Sequence, residues 1–385
     1  MRTYTMTRAQ SRALYIIRFA AAGLVLLGHS FSFYQLGPLK NQDYFPYIQS
    51  IAVLIFLVLS GFLTAYSIDK HPNYSYAAFF INRVKRIYAS FLPALAFIAI
   101  ADGMMIWLFP EIYSHYAYFN LPTLIRNLFM IPVLPNIGKV GFLNNSPLVH
   151  ALLVNQPFGS GRPLWTLFIE WNMYVFYGYG ALIIARKHQF RMNAADGVML
   201  ACFVIFALLL DFRGLLMILC FLGGVLIEKV LPVFVRPRPI IGYFFLLIAL
   251  LLFIFHAVTE KEAYTLPMAL LLSLFIFIIL LICQSDTGTR SVERGVLSFL
   301  SDITYPLYLT HYTVIEIIIC LYRTNAGLSK GVAFTLGIVF SCLLACLFHC
   351  AWAALGRKKY KRRHRRIVHY GRQRDRNTAS GHAGR

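Results

Sequence analysis

Residues 14–31 read LYIIRFAAAGLVLLGHSF, an apolar run long enough to cross a membrane that nevertheless carries Arg18 and His29. A bilayer core is about 30 Å thick and takes about 20 helical residues. Comparable runs recur along the 385-residue chain, which is 59% hydrophobic and only 13% charged. Soluble domains carry roughly 25% charged residues. The pattern therefore predicts an all-α, polytopic membrane protein. Ten spans are expected, at 14–34, 47–68, 88–109, 164–184, 196–211, 213–231, 239–258, 264–283, 298–322 and 330–352. The fifth is short, and only Asp211, Phe212 and Arg213 part it from the sixth. The first run is too long for a secretory leader and lacks a small-residue cleavage site.

Orientation follows from the basic residues, which stay on the cytoplasmic side. With the N-terminus inside, 27 of the 36 Lys and Arg fall on inside segments and 8 on outside segments. Arg18 is the one that remains within a span. Both termini are thus expected in the cytoplasm. The net charge of +21 reads mostly as a topology signal. The tail GRKKYKRRHRRIVHYGRQRDR (356–376) directly follows a span, which suits contact with anionic headgroups of membrane lipids rather than nucleic acid.

All seven cysteines fall inside the spans, so they form no disulfide framework. Cys342, Cys346 and Cys350 repeat every four residues beside His349. That spacing suits small-residue helix packing, and no metal site is assigned. No CxxC, HExxH, phosphate-loop or GxGxxG signature is present. The one large loop, 110–163, contains MIPVLPNIGKVGFLNNSPLVHALL (130–153). It is too apolar for a passive linker and is expected to fold back over the outer mouth as short helices.

Ionisable groups within spans are costly and usually face a cavity or a partner. Eleven positions separate Arg18 from His29, about 1100° of rotation and about 16 Å of rise, so both lie on one face. Arg18 falls near the cytoplasmic mouth and His29 in the outer half. In RPLWTLFIEWNMY (162–174), Glu170 lies about as far from the outer end of its span as His29 does. A carboxylate at that depth is expected to orient the imidazole. NRVKRIYASFLP (82–93) sets Arg83 and Arg86 on one face where the third span leaves the cytoplasm. SDITYPLYLTHY (301–312) carries Tyr305, Tyr308 and His311, and FLVLSGFL (56–63) carries Ser60 and Gly61.

Taken in order, these segments resemble the acyltransferase 3 family of integral membrane acyltransferases. The family's first-span Arg and His match Arg18 and His29. Its SGF-type segment looks like Ser60–Gly61–Phe62, and its RxxR like Arg83 and Arg86. Its W-S-L-x-x-E segment looks like Trp165–Thr166–Leu167 with Glu170. Its late segment matches Thr304, Tyr305, Tyr308, Leu309 and His311. The likeness runs from about 12 to 352. One departure is Tyr15–Ile16, where the family often has Asp-Gly before the Arg. An acyltransferase-3-like transmembrane domain over 1–356 and a basic cytoplasmic tail over 357–385 are expected. No C-terminal extracytoplasmic hydrolase-like domain is expected.

The resemblance implies a bacterial inner-membrane O-acyltransferase. It would move acetyl from cytoplasmic acetyl-CoA to a hydroxyl of an extracytoplasmic glycan, an O-antigen or another surface polysaccharide, without a bound cofactor. His29 and Glu170 would be catalytic, with His29 either general base or transient acyl carrier. Arg18, Arg83 and Arg86 would hold the donor phosphates. Ser60, Trp165, Tyr305, Tyr308 and His311 would contact donor or acceptor. The rival class is a polytopic transporter or flippase, which also uses buried charges. Against it, the chain shows no convincing internal repeat.

Overall fold

The computed structural model describes residues 4–36, 48–113, 118–139, 156–234, 237–260, 262–285, 295–324 and 327–351, with the single positions 146, 149 and 153. The basic tail and Lys40, Arg236, Lys261, Arg290 and Arg294, all used in the charge reading, lie outside these residues. The described chain is helical and contains no strand among the described residues. In chain order the helices are α1 (Arg8–Tyr34), α2 (Ile48–Asp69), α3 (Tyr76–Leu108) and a short α4 (Leu121–Leu128). Then come α5 (Leu164–Tyr179), α6 (Ala194–Leu209), α7 (Phe212–Val230), α8 (Pro239–Glu260), α9 (Leu266–Ile282), α10 (Val296–Thr324) and α11 (Lys330–Ala351). α5 continues as a π-helical stretch, Gly180–Lys187. Eight of these helices are long and apolar enough to cross a membrane unaided, and α6 and α9 are shorter apolar helices.

Local chemistry sets the helix ends. Asp211, the expected separator of the fifth and sixth spans, is the N-cap of α7 and accepts a hydrogen bond from Gly214 N at 2.9 Å. Thr7 forms a capping box with Gln10, and Ser75 caps α3. These caps start α1 and α3 well before the apolar runs do. Arg83 and Arg86 consequently lie two to three turns inside α3, rather than at its first turn.

Alternate helix ends gather at one face of the bundle. The Thr7 hydroxyl at the start of α1 donates to Cys283 O at 2.7 Å, just beyond α9. Arg186, beyond α5, donates to Ile68 O (3.1 Å), His71 O (3.1 Å) and Pro72 O (3.2 Å), satisfying carbonyls at the end of α2. Lys229 pairs with Asp69 and with Glu228. At the opposite face, Asn136 Nδ2 donates to Leu210 O at 2.6 Å. Basic residues crowd the first face, which the positive-inside rule makes cytoplasmic. Lys139 and Gln189 are both exposed, one at each face. In a cysteine-free background, Lys139→Cys is expected to react with an impermeant maleimide added outside intact cells, and Gln189→Cys only after lysis. The reverse pattern would invert the orientation.

α2 and α10 are the most enclosed helices, whereas α8 and α11 are the least. α8 turns Ile240, Phe244, Leu247, Leu251 and Phe255 outward, as a lipid-facing helix does. α2 crosses α7 at backbone contact. A Cβ on Gly61 would fall 1.8 Å from Phe221 O, and one on Gly224 would fall 1.9 Å from Val58 O. Only glycine permits that approach.

The segment between α3 and α5 packs against the bundle. Met130, Leu134, Ile137 and Phe158 are buried in the main core. Asp102 of α3 accepts hydrogen bonds from Ser160 N (2.6 Å), Ser160 Oγ (2.7 Å) and the Tyr113 hydroxyl. Ser160 Oγ also lies 2.6 Å from Thr313 Oγ1 of α10. Gly159 makes room for the carboxylate with φ of 54°, and a Cβ there would meet Asp102 Oδ2 at 1.9 Å. Asp102 lies six residues, about 9 Å, inside the end of α3. Its bonds draw residues 159–160 down to that level, so α5 begins within the bundle instead of at its rim.

Candidate functional site

Two cavities meet inside the bundle. The inner one has a volume of about 370 Å³ and is bounded by α1, α2, α3, α5, α10 and α11. Arg18, Arg83 and Arg86 line it, together with Glu170, Tyr174, Asp302, Tyr305 and His349. Arg86 is exposed to this space, whereas Arg83 is buried with its guanidinium over the rings of Tyr174 (4.7 Å) and Phe79 (5.2 Å). The Tyr174 hydroxyl donates to Glu170 Oε1 at 2.5 Å and lies 2.6 Å from Ser60 Oγ. Tyr305 also lines the cavity, and its buried hydroxyl has no hydrogen-bond partner among the described residues. Three arginines outnumber the two carboxylates, so the inner cavity is suited to an anion.

The outer cavity, about 520 Å³, is lined by His29, Gln156, Arg162, Trp165, Arg213, Tyr264 and Tyr312 among others. The His29 ring lies 5.2 Å from those of His311 and Tyr312 and 6.5 Å from that of Phe33. His311 lies behind it, fully buried. Its Nδ1 is 3.0 Å from both Leu307 O and Tyr308 O. Carbonyls only accept, so Nδ1 carries the hydrogen and Nε2 holds a lone pair. That Nε2 is buried without a partner among the described residues.

Thr166, Tyr308 and Val53 line both cavities. The Tyr308 hydroxyl donates to Pro163 O at 3.0 Å and is hydrogen-bonded to Thr166 Oγ1. This pair forms the septum between the arginine-lined space and the space of His29.

The residues singled out from sequence therefore separate into two groups. Arg18, Arg83, Arg86, Glu170 and Tyr305 share the inner cavity, and His29 and Trp165 face the outer one. Tyr308 faces both. Ser60 lines neither and is engaged with Tyr174. The structure does not bring Glu170 to His29. His29 lines the outer cavity and Glu170 the inner one, one turn, about 6 Å, along α5 from Thr166, which borders both. The nearest ring neighbours of His29 are His311 and Tyr312, each at 5.2 Å, and neither is a carboxylate.

Sequence reasoning missed Tyr174, Arg162, Arg213, Tyr264 and Tyr312. For the two arginines a signal existed, since both sit on outside segments that are otherwise poor in positive charge. Among the described residues, no group of three or more His, Cys, Asp or Glu side chains is placed to hold a metal ion. Residues 12–350 match the family model described as an acyltransferase domain. No curated protein and no solved structure matches the chain.

Proposed function

Because the chain belongs to the acyltransferase 3 family over nearly its whole length, we propose that this membrane acyltransferase moves acetyl from cytoplasmic acetyl-CoA to a hydroxyl of an extracytoplasmic glycan. The acceptor is an O-antigen or another surface polysaccharide, and the site of action is the bacterial inner membrane. The observation that carries this reading is the pair of cavities, arginine-lined within and histidine-bearing without, meeting at Thr166–Tyr308.

The donor enters from the cytoplasmic face. Its phosphates rest on Arg86 and Arg83, with Arg18 deeper along the path, since guanidinium groups bind phosphate oxygens through several donors at once. The pantetheine arm spans about the 16 Å rise between Arg18 and His29 and carries the thioester to the septum. Tyr305 offers its free hydroxyl along the way. His29 takes the proton of the sugar hydroxyl, the oxygen attacks the thioester carbonyl, and the C–S bond breaks. The departing thiolate then receives the proton from the imidazolium. If His29 instead carries the acyl group, the same atoms move in two steps. Glu170 acts on the donor side, holding Tyr174 and balancing the arginines.

Purified protein incubated with radiolabelled acetyl-CoA and candidate glycans should place label on the glycan. Passage of a solute across vesicles without any labelled glycan would favour a transporter instead. Arg86→Lys keeps the charge but loses the planar fork. Losing one charge-assisted hydrogen bond costs about 1.5 kcal/mol at the low end, which corresponds to about tenfold in affinity. The variant is expected to insert normally and to need about tenfold more acetyl-CoA for half-maximal rate. Unchanged donor dependence would return Arg86 to a topology role.

A further inference from the structure

The outer cavity contains two guanidinium groups, Arg162 and Arg213, and no carboxylate lines it among the described residues. The nearby acids Asp211 and Glu262 act on Tyr264 but form no ion pair with either arginine. Asp211 accepts from Gly214 N at 2.9 Å, and Glu262 accepts from Tyr264 N at 3.0 Å. Neither arginine has an ion-pair partner among the described residues, and both are exposed to the cavity side. Arg213 lies over the Tyr264 ring at 5.6 Å, and Arg162 hydrogen-bonds Tyr312. Both arginines are thus steered by aromatic side chains, and neither is tied up in a direct ion pair among the described residues.

Those same aromatics shape the space. Trp165, Tyr264 and Tyr312 present flat apolar faces, and Gln49 and Gln156 add amide groups. The volume of about 520 Å³ lies within the roughly 300–1,000 Å³ of small-molecule sites. The Tyr264 hydroxyl is a donor at neutral pH. Arg162 touches Tyr312, whose ring stands 5.2 Å from that of His29. An anion held at Arg162 is therefore one side chain away from the imidazole.

We propose that the outer cavity binds an anionic sugar, one whose carboxylate or phosphate is clamped by Arg162 and Arg213 while a neighbouring hydroxyl faces His29. This rests on the acyltransferase reading only for the fate of that hydroxyl. The binding site itself follows from the charge and shape of the cavity.

The test uses the full chain in lipid nanodiscs without added donor, and measures equilibrium binding. The probes are a tri-galacturonide, the same trisaccharide with its carboxyls reduced to alcohols, and mannose 6-phosphate beside mannose. At least tenfold tighter binding of an acidic probe than of its neutral counterpart is expected, with the preference weakening as salt is added. The trigalacturonide arm reports a uronate site and the mannose 6-phosphate arm a phosphosugar site. Arg162→Gln and Arg213→Gln should each abolish the preference, and Arg213→Lys should retain most of it. Equal binding of acidic and neutral probes, no saturable binding of either acid, or full preference in both glutamine variants would overturn the proposal. So would competition for the arginines by phosphatidylglycerol nanodiscs that removes acid binding seen in neutral-lipid nanodiscs, because the site would then belong to headgroups. The two readings fail separately. Anion binding without label transfer to any glycan sinks the acetyltransferase assignment alone, and transfer to neutral glycans without acid preference sinks the anion site alone.

Discussion

Replacing His29 with alanine is expected to abolish transfer of label from acetyl-CoA to glycan while leaving an inserted, folded protein. The imidazole borders a cavity and is not part of the packed core, so its removal leaves little new void. Its loss from chemistry is severe in either role. A positioned general base contributes about 10²–10⁴ in rate, and a nucleophile that carries the acyl group has no substitute at all. The two roles separate in one further measurement. A brief exposure of wild type to labelled acetyl-CoA, with no glycan present, leaves acid-labile label on the protein only if an acyl-histidine forms. His311→Gln bears on the same site. It replaces the buried imidazole packed against His29 with an amide of similar size, and a slowed turnover with unchanged donor requirement would mark His311 as a positioning residue. Near-normal turnover by His29→Ala would remove His29 from the mechanism.

Gly61→Ala is expected to produce the largest loss of stability of any single-methyl addition in the bundle's α2. Its new Cβ would sit 1.8 Å from Phe221 O. That neighbour is backbone, which cannot rotate away, so α2 and α7 must part along their crossing. Phe62 and Phe221, both fully buried, would lose contact as they do. Overpacking costs about 1–3 kcal/mol, occasionally more. The same displacement moves Ser60 from Tyr174, and with it the carboxylate of Glu170. Thermal unfolding in detergent, followed by a thiol-reactive dye, should show a clear drop in midpoint. Gly23→Ala is the control, because nothing lies within 4 Å of a Cβ at that position, and it should unfold like wild type. Equal midpoints for the two variants would mean that the crossing is not as tight as described.

The match of Ser60–Gly61–Phe62 to a family motif acquires a physical reason from this crossing. The motif reads as a possible ligand contact when only the chain is seen. In the fold its glycine is a helix contact, its serine is spent on Tyr174, and its phenylalanine is core.

Much of the architecture was legible in the chain because a bilayer imposes a length and a polarity on each element. The ten helices, the short α6 and the turn at Asp211 follow from apolar runs and one capping residue. The pairing of Arg18 with Arg83 and Arg86 was legible too, since all three lie a few turns inside helices that start at the same face, and rise per residue converts directly into depth. Helix starts were less so, because Thr7 and Ser75 cap through side-chain geometry that hydropathy does not register. The place of Glu170 could not be read at all. Counting residues from the apparent end of its span assumes that every helix begins at the membrane surface. α5 does not. Asp102, Tyr113, Ser160 and Thr313, from three separate stretches of chain, bind one another and pull its first turn into the bundle. The sequence alone determined which residues are membrane helix and which buried charges the helices carry. Only the tertiary structure decided which charges share a cavity, because depth depends on hydrogen bonds between segments distant in the chain and not on the rise of any one helix.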